Sequence, residues 1–393
     1  MIIDENRIRN NLEIFTFPRL SGTIHEKKAF SLAKKKIEEM GLIPEIQTFK
    51  FSTFYSRIYP KIAFPLTFWI LLTLFLNLSS LFVLISLLST IIAFFPFFLI
   101  TRNPENIKIG KIFESQNLYV KIKSNSSQLP SNNDNEDYNI FFIAHIDSKG
   151  QRITARTRGL NIFLFTISIF GITVILILRT FLALFYMLLN ILAMILLSIN
   201  LIATLILTSN TTNNKSKGAV DDASGIACVL ELLNYFSAIK KNNNNYNLWF
   251  VLTGAEESGT MGIRNFYKII NNINRKKSIV NNFESLGKSV NAVISKNSLN
   301  NNLSYYNFFK KKGKEYRINT FINPISRGIH TDGIYLSRKN FNLFEYGSSE
   351  VGRFMHSEHD SLENVDVSLL KKLCEFIITT LEYFDNSGSK FNE

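Results

Sequence analysis

With 393 residues, 46% hydrophobic and only 19% charged, the chain is too apolar for an ordinary soluble protein, yet long enough for two or three domains. Its 44 Lys and Arg against 31 Asp and Glu leave a net charge of +13, and no basic motif with interleaved aromatics accompanies it. That balance suits anionic lipid headgroups and argues against a nucleic-acid partner, while two cysteines exclude a disulfide framework or a cysteine-ligated zinc.

The opening stretch "MIIDENRIRNNLEIF" mixes acids and bases without an apolar run, so no signal peptide is expected. In "EKKAFSLAKKKIEEMG", Ala29, Ala33, Ile37 and Met40 share one face. This predicts an amphipathic helix stopped by Gly41, then an extended stretch through Phe49 and Phe51. Residues 62–100 carry no charge, and residues 160–207 carry only Arg179. A bilayer core of ~30 Å takes about 20 residues per helix, so each block is expected to form a transmembrane hairpin. The turns are expected near 77–80 and near Arg179, and the hairpins span 58–101 and 159–208.

The remaining segments, 1–57, 102–158 and 209–393, read as one soluble domain interrupted twice. "NLYVKIKS" and "YNIFFIAH" are predicted strands separated by the polar loop "NSSQLPSNNDNED". In "GAVDDASGIACVLELLNYF", Ile226, Val229, Leu230 and Leu233 recur at helical spacing, and Cys228 falls on that apolar face. "NLWFVLTGAEE" is a buried strand ending in two glutamates, and "GIRNFYKIINN" a helix after it. Asn- and Lys-rich stretches at 240–247 and 271–278 read as surface loops. "VSLLKKLCEFIITTLEYF" closes the chain as an amphipathic helix with Cys374 on its apolar side. Alternating strands and helices predict an α/β fold: a mostly parallel central sheet flanked by helices, interrupted by the two transmembrane hairpins.

An even number of spans per block puts all three soluble segments on one side. Arg57, Lys61, Arg102, Lys108, Arg152, Arg156, Arg158, Lys215 and Lys217 lie near the apolar blocks on that side, against Arg179 alone on the other. The positive-inside bias therefore places the soluble part in the cytoplasm, with the inverted orientation as the alternative.

In parallel sheets, ligands gather at the carboxyl ends of strands. His145, Asp147, Glu256 and Glu257 all stand at such ends. The chain has only five histidines, and His356 lies four residues before Asp360 in "MHSEHDSLENVD". Between the two histidines come the acid pairs Asp221–Asp222 and Glu256–Glu257, and Glu284 in "NNFESLG". Mixed imidazole and carboxylate donors suit zinc or a similar divalent ion. Of two adjacent glutamates, one can bind metal while the other takes a proton from water. Each piece alone has an ordinary structural reading: a satisfied histidine in a turn, Asp residues capping a helix, a solvated strand corner.

Their order is what resembles a known family. "AHIDS", "GAVDDASG", "LTGAEESGTMG", "NFESLG" and "HSEHDSLENVD", with the opening "PRLSGTIHEKKAFSLAKKKIEEMGL", resemble the co-catalytic zinc metallopeptidases of family M28, typified by bacterial leucyl-type aminopeptidases. The resemblance spans essentially all the soluble segments. It implies a zinc-exopeptidase-like fold and two zinc ions, other divalent ions being possible occupants. His145 and Glu284 would hold one ion, Glu257 and His356 the other, and Asp221 would bridge them. Glu256 would be the general base, and Asp147 would orient the His145 imidazole. Asp360 would support the loop of His356, with Asp222 and Ser224 at a helix N-terminus. Two departures stand out. Glu284 occupies a position where the family more often has Asp, and a transmembrane hairpin replaces the short loop between the first two motifs.

The implied activity is removal of N-terminal residues from peptides, membrane-associated ones included, by a metal centre close to the bilayer. The alternatives are an inactive receptor or scaffold on the same fold, or glutaminyl cyclase or carboxypeptidase chemistry.

Overall fold

The computed structural model describes residues 2–76, 80–124, 138–239, 246–301, 303–322 and 330–386. The loop expected at "NSSQLPSNNDNED" and most of the turn expected at 77–80 lie outside these residues. The chain forms two compact units. The first comprises Met1–Phe51, Phe113–Gly150 and Asn213–Glu393, and the second Ser52–Ile112 and Gln151–Thr212.

In chain order the elements are α1 (Glu5–Phe15), α2 (Ile24–Glu39), β1 (Glu45–Ser52), α3 (Tyr59–Leu76), α4 (Ser80–Ile100), β2 (Ile112–Ile122), β3 (Tyr138–His145), β4 (Gly150–Gln151), α5 (Ala155–Phe181), α6 (Tyr186–Thr208), β5 (Thr212–Asn213), α7 (Ser224–Ile239), β6 (Tyr246–Thr253), α8 (Met261–Ile270), β7 (Ser278–Phe283), β8 (Asn291–Ile294), α9 (Lys296–Asn301), α10 (Leu303–Glu315), β9 (Asn319–Ile322), α11 (Asp332–Arg338), β10 (Asn342–Gly347) and α12 (Val367–Asn386).

An eight-stranded sheet, in the order β1-β2-β6-β3-β7-β10-β8-β9, organises the first unit. Its centre is parallel: β3 pairs with both β6 and β7, and β7 with β10. β2 joins β6, and β8 joins β10, in antiparallel fashion. Alternation along β3 explains why every residue there is apolar or buried. Ile140, Phe142 and Ala144 enter one core with α1, α2, α7 and α12, while Phe141 and Ile143 enter the other with Ile263, Phe266 and Ile334. A sheet covered on both faces needs continuous apolar strands, and each buried Phe contributes about 1.5–3 kcal/mol. The shared strand direction brings the ends of β3, β6 and β7 to one edge, with His145 registered against Thr253.

The α2 helix ends as expected. Gly41 takes φ 75°, and its N–H donates to the Glu38 carbonyl at 2.9 Å. Strands β7 to β10 and helices α1, α9, α10 and α11 were not foreseen, because polar Asn, Ser and Lys residues interrupt the pattern around them. Cys228 and Cys374 are free and buried in the same core.

In the second unit, four helices are long and apolar enough to cross a membrane: Phe54–Leu76, Leu81–Ile100, Ala155–Phe181 and Tyr186–Thr208. Large apolar side chains such as Phe163, Phe170 and Phe181 stand exposed on them. Helices α5 and α6 pack closely; a Cβ on Gly171 would lie 2.7 Å from Leu196 Cδ1. Asn200 donates to Ser168 Oγ (2.8 Å) between them. The turn expected near Arg179 falls one helical turn later, at 182–185. Arg179 instead closes α5, donating to Asn190 Oδ1 (2.9 Å) and the Phe75 carbonyl (3.2 Å). A cation near the last carbonyls of a helix is favoured there.

Candidate metal centre

Five segments build the site. His145 ends β3. Its Nδ1 lies 2.9 Å from the Asp147 backbone carbonyl, which can only accept. Nδ1 therefore carries a proton, and Nε2 is turned to the Asp221 carboxylate. The Asp147 carboxylate is 3.6 Å from the same Nδ1 and has a second set of partners. Its two oxygens accept the N–H groups of Glu256 (3.0 Å) and Glu257 (3.1 Å). Asp147 thus orients the imidazole mainly through its backbone, while its side chain holds the turn carrying both glutamates.

Asp221 stands at the centre, 2% exposed. Its Oδ1 lies 3.0 Å from His145 Nε2, and its Oδ2 lies 3.1 Å from His356 Nε2. Glu257 Oε1 is 2.8 Å from His356 Nε2, and Glu284 Oε1 is 3.7 Å from His145 Nε2. Two convergent groups result, His145–Asp221–Glu284 and Asp221–Glu257–His356, sharing one carboxylate. Asp222 faces away, accepting the N–H groups of His145 and Gly225, both at 3.1 Å, as a helix-terminal residue should. Asp360 accepts from the N–H groups of Val220 (2.7 Å) and Asp221 (3.3 Å), tying the segment that carries His356 to the backbone of Asp221.

The backbone is strained at these positions. His356 has φ 62°, Ala255 before the glutamate pair φ 52°, and Ser285 after Glu284 φ 57°. Left-handed non-glycine residues cost of order 1–3 kcal/mol and gather where a site over-determines them. Burial pushes the Asp221 carboxyl upward, but the two imidazoles outweigh it and hold the group well below its usual range. Glu256 is pushed well above the carboxylate range by burial and by the negative charge of Glu284. Adjacent Glu257 is held down at about 2 against its own burial, by His356 and Lys149.

The donor set fits a divalent ion. Asp221 Oδ2 and Glu257 Oε1 are buried and accept no hydrogen bond, although His356 Nε2 stands within 3.1 and 2.8 Å of them. Donor atoms that converge without hydrogen-bond geometry are what an ion among them requires, and nitrogen with carboxylate oxygen is a zinc-type set.

Residues 203–381 match the family model of Peptidase family M28. Over that stretch the chain is similar to family M28.

Solved structures extend the likeness to nearly the whole chain. The aminopeptidase from Aneurinibacillus sp. strain AM-1 superposes with a TM-score of 0.53 at 13% identity, over 97% of this chain and 94% of that one. A zinc aminopeptidase from Bacillus subtilis gives 0.53 at 12%, over 98% and 95%. Tannerella forsythia glutaminyl cyclase gives 0.53 at 11%, over 97% and 98%. At such identities the likeness is one of fold. No curated protein matches the sequence.

Around this centre lie residues that the motifs did not point to. Arg19, fully buried, donates to the carbonyls of Phe15, Phe17, Ile146, Lys217 and Gly218. It joins the loop after His145 to the loop before Asp221. Glu26, 1% exposed in the first turn of α2, accepts from Gly22 N (2.7 Å), Ser115 Oγ (2.7 Å) and Ala255 N (3.1 Å). Burial, then the charge of Asp147, pushes its carboxyl up to about 8. Lys149 Nζ lies 2.5 Å from Glu257 Oε2. Arg19 stood in the quoted "PRLSGT", yet nothing local distinguishes a buried arginine from a surface one. Glu26 and Lys149 each look like solvated charges until the chain folds.

Proposed function

We propose that this chain is a membrane-anchored, di-zinc exopeptidase of family M28 that releases residues from the free amino end of peptides. One observation carries the reading: two three-residue donor groups share Asp221, with Glu256 next to a member of one of them. His145 and Glu284 would hold one ion and Glu257 and His356 the other, with Asp221 between them. Zinc bound there supplies Lewis acidity, polarising a peptide carbonyl and making water acidic near neutral pH. The chain's own residues do the rest. Glu256, beside the ligand Glu257, takes the proton from the attacking water and passes it to the departing amine. Asp147 and Glu26 keep its turn in place from two sides. The four membrane-length helices make peptides held at a bilayer accessible substrates, alongside free ones.

The charge distribution supports placing both chain ends and the first unit in the cytoplasm, with four membrane crossings. Glutaminyl cyclisation is the second reading, favoured by the glutaminyl cyclases among the structural neighbours. Metal analysis of detergent-purified protein, with aminoacyl reporters and N-terminal glutaminyl peptides as parallel substrates, tests both. Two ions and amine release from reporters are expected. Cyclisation without release would move the assignment to the cyclase, and absence of bound ions would leave a scaffold.

A further inference from the structure

Among the described residues, the pair Lys149–Glu257 has no counterpart on the other half of the centre. Lys149 follows Asp147 by two residues in "HIDSKG", and its side chain is 12% exposed against 5% for Glu257. Its Nζ lies 2.5 Å from Glu257 Oε2 and 3.3 Å from the Glu257 backbone carbonyl. The other carboxylate oxygen, Oε1, points to His356 Nε2 at 2.8 Å and accepts no hydrogen bond. One oxygen of Glu257 is thus committed to a lysine, and one is left for the centre. On the far side, among the described residues, neither His145 nor Glu284 has a cation of this kind within ion-pair distance; their charged partners are Asp147, Asp221 and each other.

We infer that Lys149 is a positioning residue that makes the two metal positions unequal, with the Glu257–His356 position the weaker and first to empty. This rests on the di-zinc reading above. Two effects act together. The ammonium withholds Oε2, so Glu257 offers a single oxygen. It also places a positive charge on the far side of the same carboxylate, from which a divalent ion is repelled in surroundings that screen poorly. An exposed ion pair would matter little, but this one is almost wholly out of water. The arrangement keeps one ion structural and the other exchangeable.

The test is chelator competition on the full chain in detergent, following zinc release and not activity, for wild type, Lys149→Met and Lys149→Arg. Wild type is expected to release its ions in two separated steps. In Lys149→Met the first-released ion should bind at least tenfold tighter, closing the gap between steps. Lys149→Arg, which keeps the charge and a donor, should retain two steps. Thermal melts confirm that each variant is folded. Should Lys149→Met instead release its first ion as easily as wild type, or more easily, the inference fails while the di-zinc reading stands. It fails likewise if Lys149→Arg behaves as Lys149→Met. A wild type that binds no ion overturns the di-zinc reading and this inference with it, and is recognised before any variant is compared.

Discussion

Glu256 and Asp221 divide the work of the site by environment rather than by residue type. Both are buried acids, yet two imidazoles lower the carboxyl of Asp221 against its burial, while burial and neighbouring Glu284 raise that of Glu256. Glu256→Gln removes the proton acceptor and touches no donor atom. It should keep its metal and lose roughly 10²–10⁴-fold in hydrolysis, the usual scale of general-base catalysis. Normal turnover in that variant would show the wrong glutamate was chosen. Asp221→Ala removes an oxygen from each donor group, so metal content should fall at both positions. Elemental analysis showing two retained ions would contradict the bridging role. Arg19→Met leaves several buried carbonyls without a donor. An unsatisfied buried polar group costs about 1–3 kcal/mol, so this single change should lower the melting temperature markedly. It should also loosen metal binding, because the two loops it joins carry His145 and Asp221. A melt like that of wild type would mean water replaces the guanidinium.

Among the elements, α8 and the tip of β6 are locked together by close approach. A Cβ on Gly262 would lie 2.4 Å from the Gly254 carbonyl oxygen and 2.9 Å from the Gly254 nitrogen, both backbone atoms that cannot swing aside. Asn117 bridges the same spot, its Nδ2 donating to the Gly262 carbonyl at 2.8 Å. Gly262→Ala should therefore displace the turn bearing Glu256 and Glu257. The expected cost is about 1–3 kcal/mol in stability, with hydrolysis reduced more than folding. Gly41→Ala is the control. Its φ of 75° strains alanine by about 1–2 kcal/mol, but nothing lies within 4 Å, so activity per folded molecule should be unchanged. Equal activity losses in the two variants would show that α8 does not set the turn.

At the level of the whole molecule, four helices of membrane length and apolarity belong to a chain of net charge +13. Because Cys228 and Cys374 are both buried, an introduced cysteine can report its own side of the membrane. Leu184→Cys lies in the exposed turn between α5 and α6, and Lys311→Cys on the exposed face of α10. With an impermeant thiol reagent on intact cells, Leu184→Cys should label and Lys311→Cys should label only after permeabilisation. The reverse pattern would put the first unit outside the cell.

Local chemistry made much of this protein legible from its residues alone. Uninterrupted apolar runs announce helices of membrane length, since no other structure satisfies the backbone in lipid. Continuous apolar strands such as "YNIFFIAH" announce a sheet buried on both faces, and each metal-type residue sits in a short motif beside a strand end or turn. Strands β7 and β10 escaped because their Asn and Ser residues are buried through partners distant in sequence, as Asn342 is with the carbonyl of Ser278 at 2.9 Å. Tertiary structure alone decided which atoms meet. It turned the Asp147 carboxylate to the glutamate turn, sent Asp360 to the Asp221 backbone, and buried Arg19, Glu26 and Lys149 against groups 108 to 229 residues away. A charge reads as solvated in a sequence because exposure is its usual fate; only long-range packing removes its water and sets its partner.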